Sequence, residues 1–381
     1  MAYRQINVRS PFYVERGTTS ASSTLNLRIW RGSVTSDRPS LSTYTLEKDA
    51  TDGKVIFEIS ELVRDYIEQG DSLYALNTVW VETTVSDSGT LAPATVTTYL
   101  ATEGYTIHTE GVQKSGDAFV PSYVMLPQDM YGDYRITGAE GETAYFQVMT
   151  NATNMTDWSV VRNYADGSTI SSSFIPANAA NSNTIIQTLG CTSEMVSIDF
   201  DLDGVQTTVH HDLFDCNKYN TPIASGLGTD QPPTYYNAEL QRPVIVNYVN
   251  KYGAKNTFAF TLKHTEEITS TSQSFKRNVL NYGNLSSFNA MHSSRKVLKD
   301  SKQTFTINTD YISEYYVEQL EELILSEYVW AHIAHLSPST YSPMPVTVID
   351  KSISKKNHLN NKLIQYTLKI EIARDYINTI R

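Results

Sequence analysis

Cysteine is nearly absent from this 381-residue chain: Cys191 and Cys216 are the whole complement. Two thiols exclude a disulfide scaffold. Free buried thiols are the simpler reading, although the pair flanks an expected hairpin and a bridge between them stays geometrically open. Charge is scarce too. Charged residues make up 19% and apolar residues 40% of the chain, against about 25% and about 45–50% in ordinary soluble domains. No apolar run approaches the ~18 residues that a membrane-spanning helix requires. Residues 1–10 carry Arg4 and Arg9 without the apolar stretch of an ordinary signal peptide. Enzyme signatures are missing as well: there is no nucleophile elbow, phosphate loop, dinucleotide fingerprint or zinc-protease helix. The expectation is a non-enzymatic chain with no cofactor and no membrane insertion.

Ser, Thr and Asn fill the gap, together with 25 Tyr against 12 Phe and 4 Trp. Thr and Tyr suit pleated, half-buried strands, so the composition leans to β structure with polar connections. The net charge of −11 is unevenly spread. Residues 1–230 hold 13 Lys and Arg against 28 Asp and Glu, a balance of −15, whereas residues 231–381 hold 17 against 13, a balance of +4. Without a concentrated basic face, general nucleic-acid binding is not expected. An acidic front and a basic back fit contacts between copies, in which complementary potentials fix orientation. They also fit acidic loops that simply keep the first part in solution.

The pattern predicts a mainly β chain: two N-terminal β-sandwich-like units, then a β-rich C-terminal domain with one packed amphipathic helix. The first unit spans 1–112, with strands expected at 11–14, 24–30, 43–46, 54–59, 77–86 and 94–101. Residues 24–30 alternate polar and apolar with period two. One short helix is expected over 60–69, with Ser60 as N-cap, Leu62, Val63, Tyr66 and Ile67 as its apolar face and Gly70 as its stop. A second β unit covers 113–225, with strands at 143–149, 158–164, 168–174, 183–189, 195–202 and 205–211. Asp166-Gly167 and Asp203-Gly204 are hairpin dipeptides. Gly226, Gly228, Pro232 and Pro233 mark a linker, placed at 226–240. The third unit, 241–381, should hold strands at 257–263, 304–309, 345–350 and 362–373. A polar, irregular loop or arm is expected over 269–289. A helix is expected over 313–330, packing through Val317, Leu320, Leu323 and Ile324, with Glu314, Glu318, Glu321 and Glu322 on a solvated back.

Candidate chemistry is thin. Asp199, Asp201, Asp203 and Gly204 match the first half of a calcium loop, but His210 stands where the bidentate Glu belongs, and the acids alternate with Phe200 and Leu202. Alternation means strand, so 202–205 reads as a hairpin turn. His210 and His211 are adjacent and point to opposite faces of a strand, so they cannot chelate one metal together. No metal site is expected. Trp30, Trp80, Trp158 and Trp330 could form a sugar-stacking platform, although Trp30 and Trp80 stand in alternating strands where core packing is the simpler fate. The basic run over 351–358, with Lys351, Lys355, Lys356 and His358, lies between two strands. It reads either as a solvated loop or as a grip on an acidic partner, and these four residues are the candidate assembly contacts.

Several stretches carry a family resemblance. They are Asn250-Lys251-Tyr252-Gly253-Ala254, the run from Thr304 through Glu314, the run from Leu320 through Trp330, Pro345-Val346-Thr347-Val348 and the run from Asn361 through Leu368. Over roughly 240–381 this strand–helix–strand pattern resembles tail and virion structural proteins of tailed bacteriophages, particularly those of Bacteroidetes hosts. The first unit, from Ser10-Pro11-Phe12-Tyr13-Val14 to Gly104-Tyr105, resembles the β-sandwich that accompanies it. The resemblance implies a tail-tip or baseplate component similar to distal tail proteins, made in the host cytoplasm and located in the virion tail. It implies a ring of identical copies, built through the third unit with residues 1–225 outward, and neighbouring phage tail proteins as partners. It implies no catalytic residues. Two alternatives stand beside it: a receptor- or glycan-binding tail protein that uses the first sandwich on a host surface glycan, and a head or collar decoration protein.

Overall fold

Runs of Thr, Val, Ile and Tyr broken by Gly, Asn and Asp turns produce a mainly β protein of 25 strands and two helices among the described residues. The computed structural model describes residues 4–32, 36–68, 78–88, 95–105, 113–114, 123–124, 134–139, 143–149, 158–164, 167–174, 184–190, 195–202, 205–214, 244–276, 294–309, 311–313, 316–333, 343–350 and 363–374.

The first unit contains β1 (Arg4–Asn7), β2 (Phe12–Gly17), β3 (Ser22–Trp30), β4 (Tyr44–Asp49), β5 (Lys54–Glu58), α1 (Ser60–Arg64), β6 (Thr78–Asp87), β7 (Thr95–Thr102) and β8 (Gln113–Lys114). One sheet runs β1-β7-β6-β3-β4 and the other β5-β2-β8. Leu25, Leu27 and Ile29 of β3, Val79, Val81 and Val85 of β6, and Tyr99 of β7 pack between the sheets against Val14, Phe57 and Val63. This is the sandwich expected from the alternation in 24–30. β8 lies just past the expected boundary at 112. β1 was not anticipated, because Arg-Gln-Ile-Asn is too short and polar to read as a strand alone; it forms by pairing in parallel with β7. The helix is shorter than 60–69, and Ser60 does not cap it. Ile59 holds the N-cap position, and the Ser60 hydroxyl and N–H both turn back to the Glu58 carboxylate. A competing local acceptor therefore replaces the cap.

The second unit contains β9 (Tyr123–Val124), β10 (Tyr134–Ala139), β11 (Thr143–Met149), β12 (Trp158–Tyr164), β13 (Thr169–Phe174), β14 (Thr184–Gly190), β15 (Met195–Leu202) and β16 (Val205–Phe214). Its sheets are β10-β16-β15-β12-β13 and β14-β11-β9. Leu202 pairs directly with Val205, the register of a two-residue hairpin.

The third unit contains β17 (Val244–Val249), β18 (Lys255–Phe260), β19 (Leu262–Lys276), β20 (Ser294–Asn308), β21 (Ile312–Ser313), α2 (Val317–Leu325), β22 (Val329–His332), β23 (Met344–Val348), β24 (Leu363–Ile364) and β25 (Thr367–Ile372). Seven strands form one sheet, β18-β17-β22-β23-β25-β20-β19. Val317, Leu320 and Leu323 of α2 are buried on it against Val246, Phe258, Phe305, Ala331 and Ile370, with Ile324 packed alongside. The helix thus uses the apolar face read from its spacing.

Three expectations for this unit need correction. The helix ends at Leu325, not at 330. Ser326 takes extended backbone, and its hydroxyl accepts the Val249 N–H at 3.1 Å. The β-branched and aromatic residues that follow are drawn between β17 and β23 as β22. Residues 269–276 are not irregular but continue β19, paired with β20 down to Lys276 opposite Ser294; the rest of the expected loop lies outside the described residues. The expected strand over 362–373 is two strands. The break at Gln365–Tyr366 is held by reciprocal bonds: Tyr366 N–H donates to Thr309 Oγ1 at 2.8 Å, and Thr309 N–H to the Tyr366 carbonyl at 2.9 Å.

Candidate functional site

Two features of the third unit reach beyond its own core: the turn that joins β17 to β18, and the β19–β20 pair. The turn is built by Asn250. Its side-chain oxygen accepts the N–H groups of Tyr252 and Ala254 at 3.0 and 3.1 Å, and its backbone bonds Gly253 and Ala254. Gly253 sits at φ +80°, a conformation open to glycine without steric cost. The turn presses on the first unit. A Cβ on Gly253 would lie 2.6 Å from the Glu103 nitrogen, and one on Gly104 would lie 2.7 Å from the Lys251 carbonyl oxygen. Tyr105 N–H donates to that carbonyl at 2.7 Å.

Around this backbone contact lies an apolar cluster. Trp30, Trp80 and Leu100 stand side by side on neighbouring strands, on the face of the first sandwich that looks away from its core. Ala254 and Tyr252 cover them. The structure places the side chains of three of the four tryptophans singled out in the sequence. Trp30 and Trp80 are buried in this seam, and Trp330 is buried under the Lys255 ammonium, 5.1 Å from the ring centre; the side chain of Trp158 lies outside the described residues. Tyr134 of the second unit comes to the same place, and burial, with Tyr252 adding to it, pushes its phenol above the usual range.

Ionic contacts rim the seam. Arg9 reaches Glu327 at 3.3 Å and stacks over Tyr105. Arg64 bonds Glu103 at 3.1 Å and also bonds Glu327. Lys251 lies 4.0 Å from Glu322. Glu322 corrects an expectation: it is not on a solvated back but buried, because the helix is covered on that side as well. Burial raises its carboxyl to about 7, and Lys251 pulls the other way without restoring the ordinary value. Its Oε2 has no hydrogen-bond partner.

The second feature is an arm. β25 pairs with β20 only from Thr304 to Asn308, whereas β19 follows β20 from Asn308 to Ser294. About 30 Å of two-stranded ribbon therefore extends past the sheet. The register slips between Thr271 and Ser272, where a bulge adds twist. β19 is the last strand of the sheet and is exposed from Thr265 to Lys276. Ile268 and Phe275 are 50% and 48% exposed. Residues 269–276 and 294–303 hold Lys276, Arg295, Lys296, Lys299 and Lys302 against Asp300, and Lys302 is paired with Glu371 of β25 at 2.6 Å.

The sequence-predicted contacts Lys351, Lys355, Lys356 and His358 lie outside the described residues, as do Cys191, Cys216 and the linker. Asp199 is placed on β15, accepting a bond from Asn163 at 2.7 Å; His210 and His211 are successive residues of β16. Among the described residues no three His, Cys, Asp or Glu are grouped to hold a metal ion, and no helix is long and apolar enough to cross a membrane. The seam as a site was missed by sequence reasoning, yet two of its parts, Asn250 to Ala254 and Gly104-Tyr105, are stretches that carry the family resemblance.

No family model matches the chain, and no curated protein matches it. Among solved structures it is similar to the I9–I11 tandem from titin, with 11% identity and a TM-score of 0.18, over 53% of this chain and 66% of that one. The match thus spans just under two thirds of the titin chain, and at that score it carries no argument about function.

Proposed function

We propose that this chain is a non-enzymatic structural component of a tailed-phage virion, a homo-oligomeric tail-tip, baseplate or tail adaptor protein. The observation that supports this reading most is the basic arm. It extends from the open edge of the seven-stranded sheet, in the unit that carries the family resemblance, and an uncovered edge strand is a template for another chain. The seam adds to it: a subunit that bears load between neighbours needs its units joined, and this one is joined by buried tryptophans, facing glycines and ion pairs. Burial of Trp30 and Trp80 removes both tryptophans that a glycan platform on the first sandwich would use.

The test is the mass and symmetry of the purified chain, together with its position in an imaged virion. A closed ring of copies located in the tail is the expected result. A chain that stays monomeric and is absent from particles would remove the proposal, and a place on the head or collar would favour the decoration reading. The basic run is tested alongside: Lys355→Glu with Lys356→Glu should weaken incorporation and alter its salt dependence.

A further inference from the structure

We infer that the β19–β20 arm of one copy binds the free β4 edge of the first sandwich of a second copy. This rests on the homo-oligomer reading above and names the contact that would build it.

The arm offers three things together: an open strand edge, two exposed apolar side chains and a basic charge. The occupant should offer the complement, and the chain itself carries it. β4 closes one side of the first sandwich as the last strand of its sheet, and β5 is the last strand of the other. Glu47, Asp49 and Asp52 on this rim are exposed. Lys54 is paired with Glu15 at 2.7 Å, and the Lys48 charge, held at the Ile56 carbonyl at 2.8 Å, offsets only one of the three acids. The rim therefore presents net negative charge, with Ile56 exposed as an apolar neighbour. Strand addition supplies main-chain hydrogen bonds, and the charges fix which edge meets which. Because the two patches differ, the contact is head-to-tail, and such contacts close into rings when the rotation between copies permits.

The experiment is a charge exchange in the full chain, read by sedimentation velocity across protein concentration. Lys276→Glu, Arg295→Glu and Lys296→Glu together should weaken assembly about tenfold, the size expected for losing a few exposed pairs. Glu47→Lys with Asp49→Lys should do the same. All five changes in one chain should restore assembly, because each reversed arm then meets a reversed rim. A neutral variant, Ile268→Ser with Phe275→Ser, should also weaken it. Assembly that ignores the arm reversal or the neutral variant, or a five-fold variant no better than its parents, overturns this contact while leaving the oligomer in place. A wild-type chain that stays monomeric at every concentration overturns the oligomer reading itself.

Discussion

Glu322 shows what burial does to a single carboxyl. Its folded pKa of about 7 lies above the ordinary 4.5, mainly because the surroundings cannot solvate the charge. The folded state therefore holds a proton that the unfolded chain has already lost between those two values. Stability from this group is complete below about pH 4.5 and declines as pH rises through about 7. The full span corresponds to roughly 3–4 kcal/mol. Glu322→Gln should remain as stable at pH 8 as at pH 5.5 in this respect, where wild type loses stability; melting temperature against pH reads it, and parallel curves for the two proteins would count against the assignment. Gly253 is a second residue with a sharp requirement. Gly253→Ala should cost about 1–2 kcal/mol from its left-handed backbone alone. The cost should rise further because the chain at Glu103 and Gly104 must move aside. An unchanged denaturation midpoint would mean that the turn relaxes away from the first unit at no cost.

At the scale of elements, the helix gives the plainest wager. Leu320 is enclosed by the seven-stranded sheet, so Leu320→Ala should cost about 2–5 kcal/mol; a loss within about 0.5 kcal/mol, typical of a surface change, would place that face outside the core. This face was legible in the sequence because 317, 320, 323 and 324 fall on one stripe of a 3.6-residue period. The strands of the first sandwich were legible for the matching reason, period two. What escaped has physical causes. The helix end was missed because Tyr328, Val329 and Trp330 continue the apolar spacing, and only tertiary pairing with β17 and β23 decides that they are strand. The polar run of Ser and Thr in β19 lacks alternation because its successive side chains from Thr265 to Lys276 are all exposed, so nothing in that strand marks an inside. Glu322 looked solvated because a helical stripe records the sheet beneath the helix and not the Lys251 turn that covers its flank.

At the scale of the whole molecule, the question is what holds the first and third units together. The ion pairs are conspicuous, but Arg64 and Glu327 are about a third and a half exposed, and pairs of that kind are worth about 0–1 kcal/mol each. The apolar contact of Trp30, Trp80 and Leu100 with Ala254 and Tyr252 is dry, and adhesion should reside there. The two accounts separate on mutation. Glu327→Ala should cost less than about 1 kcal/mol and leave the units unfolding in step. Ala254→Asp places a carboxylate in the buried apolar contact against the two tryptophans. It should loosen the seam, so that calorimetry resolves separate transitions for the first and third units. Should Glu327→Ala split the transitions while Ala254→Asp melts as wild type does, the ionic rim and not the tryptophan face would be the bond between units. The subunit would then loosen with added salt, because exposed charges are screened and buried apolar area is not.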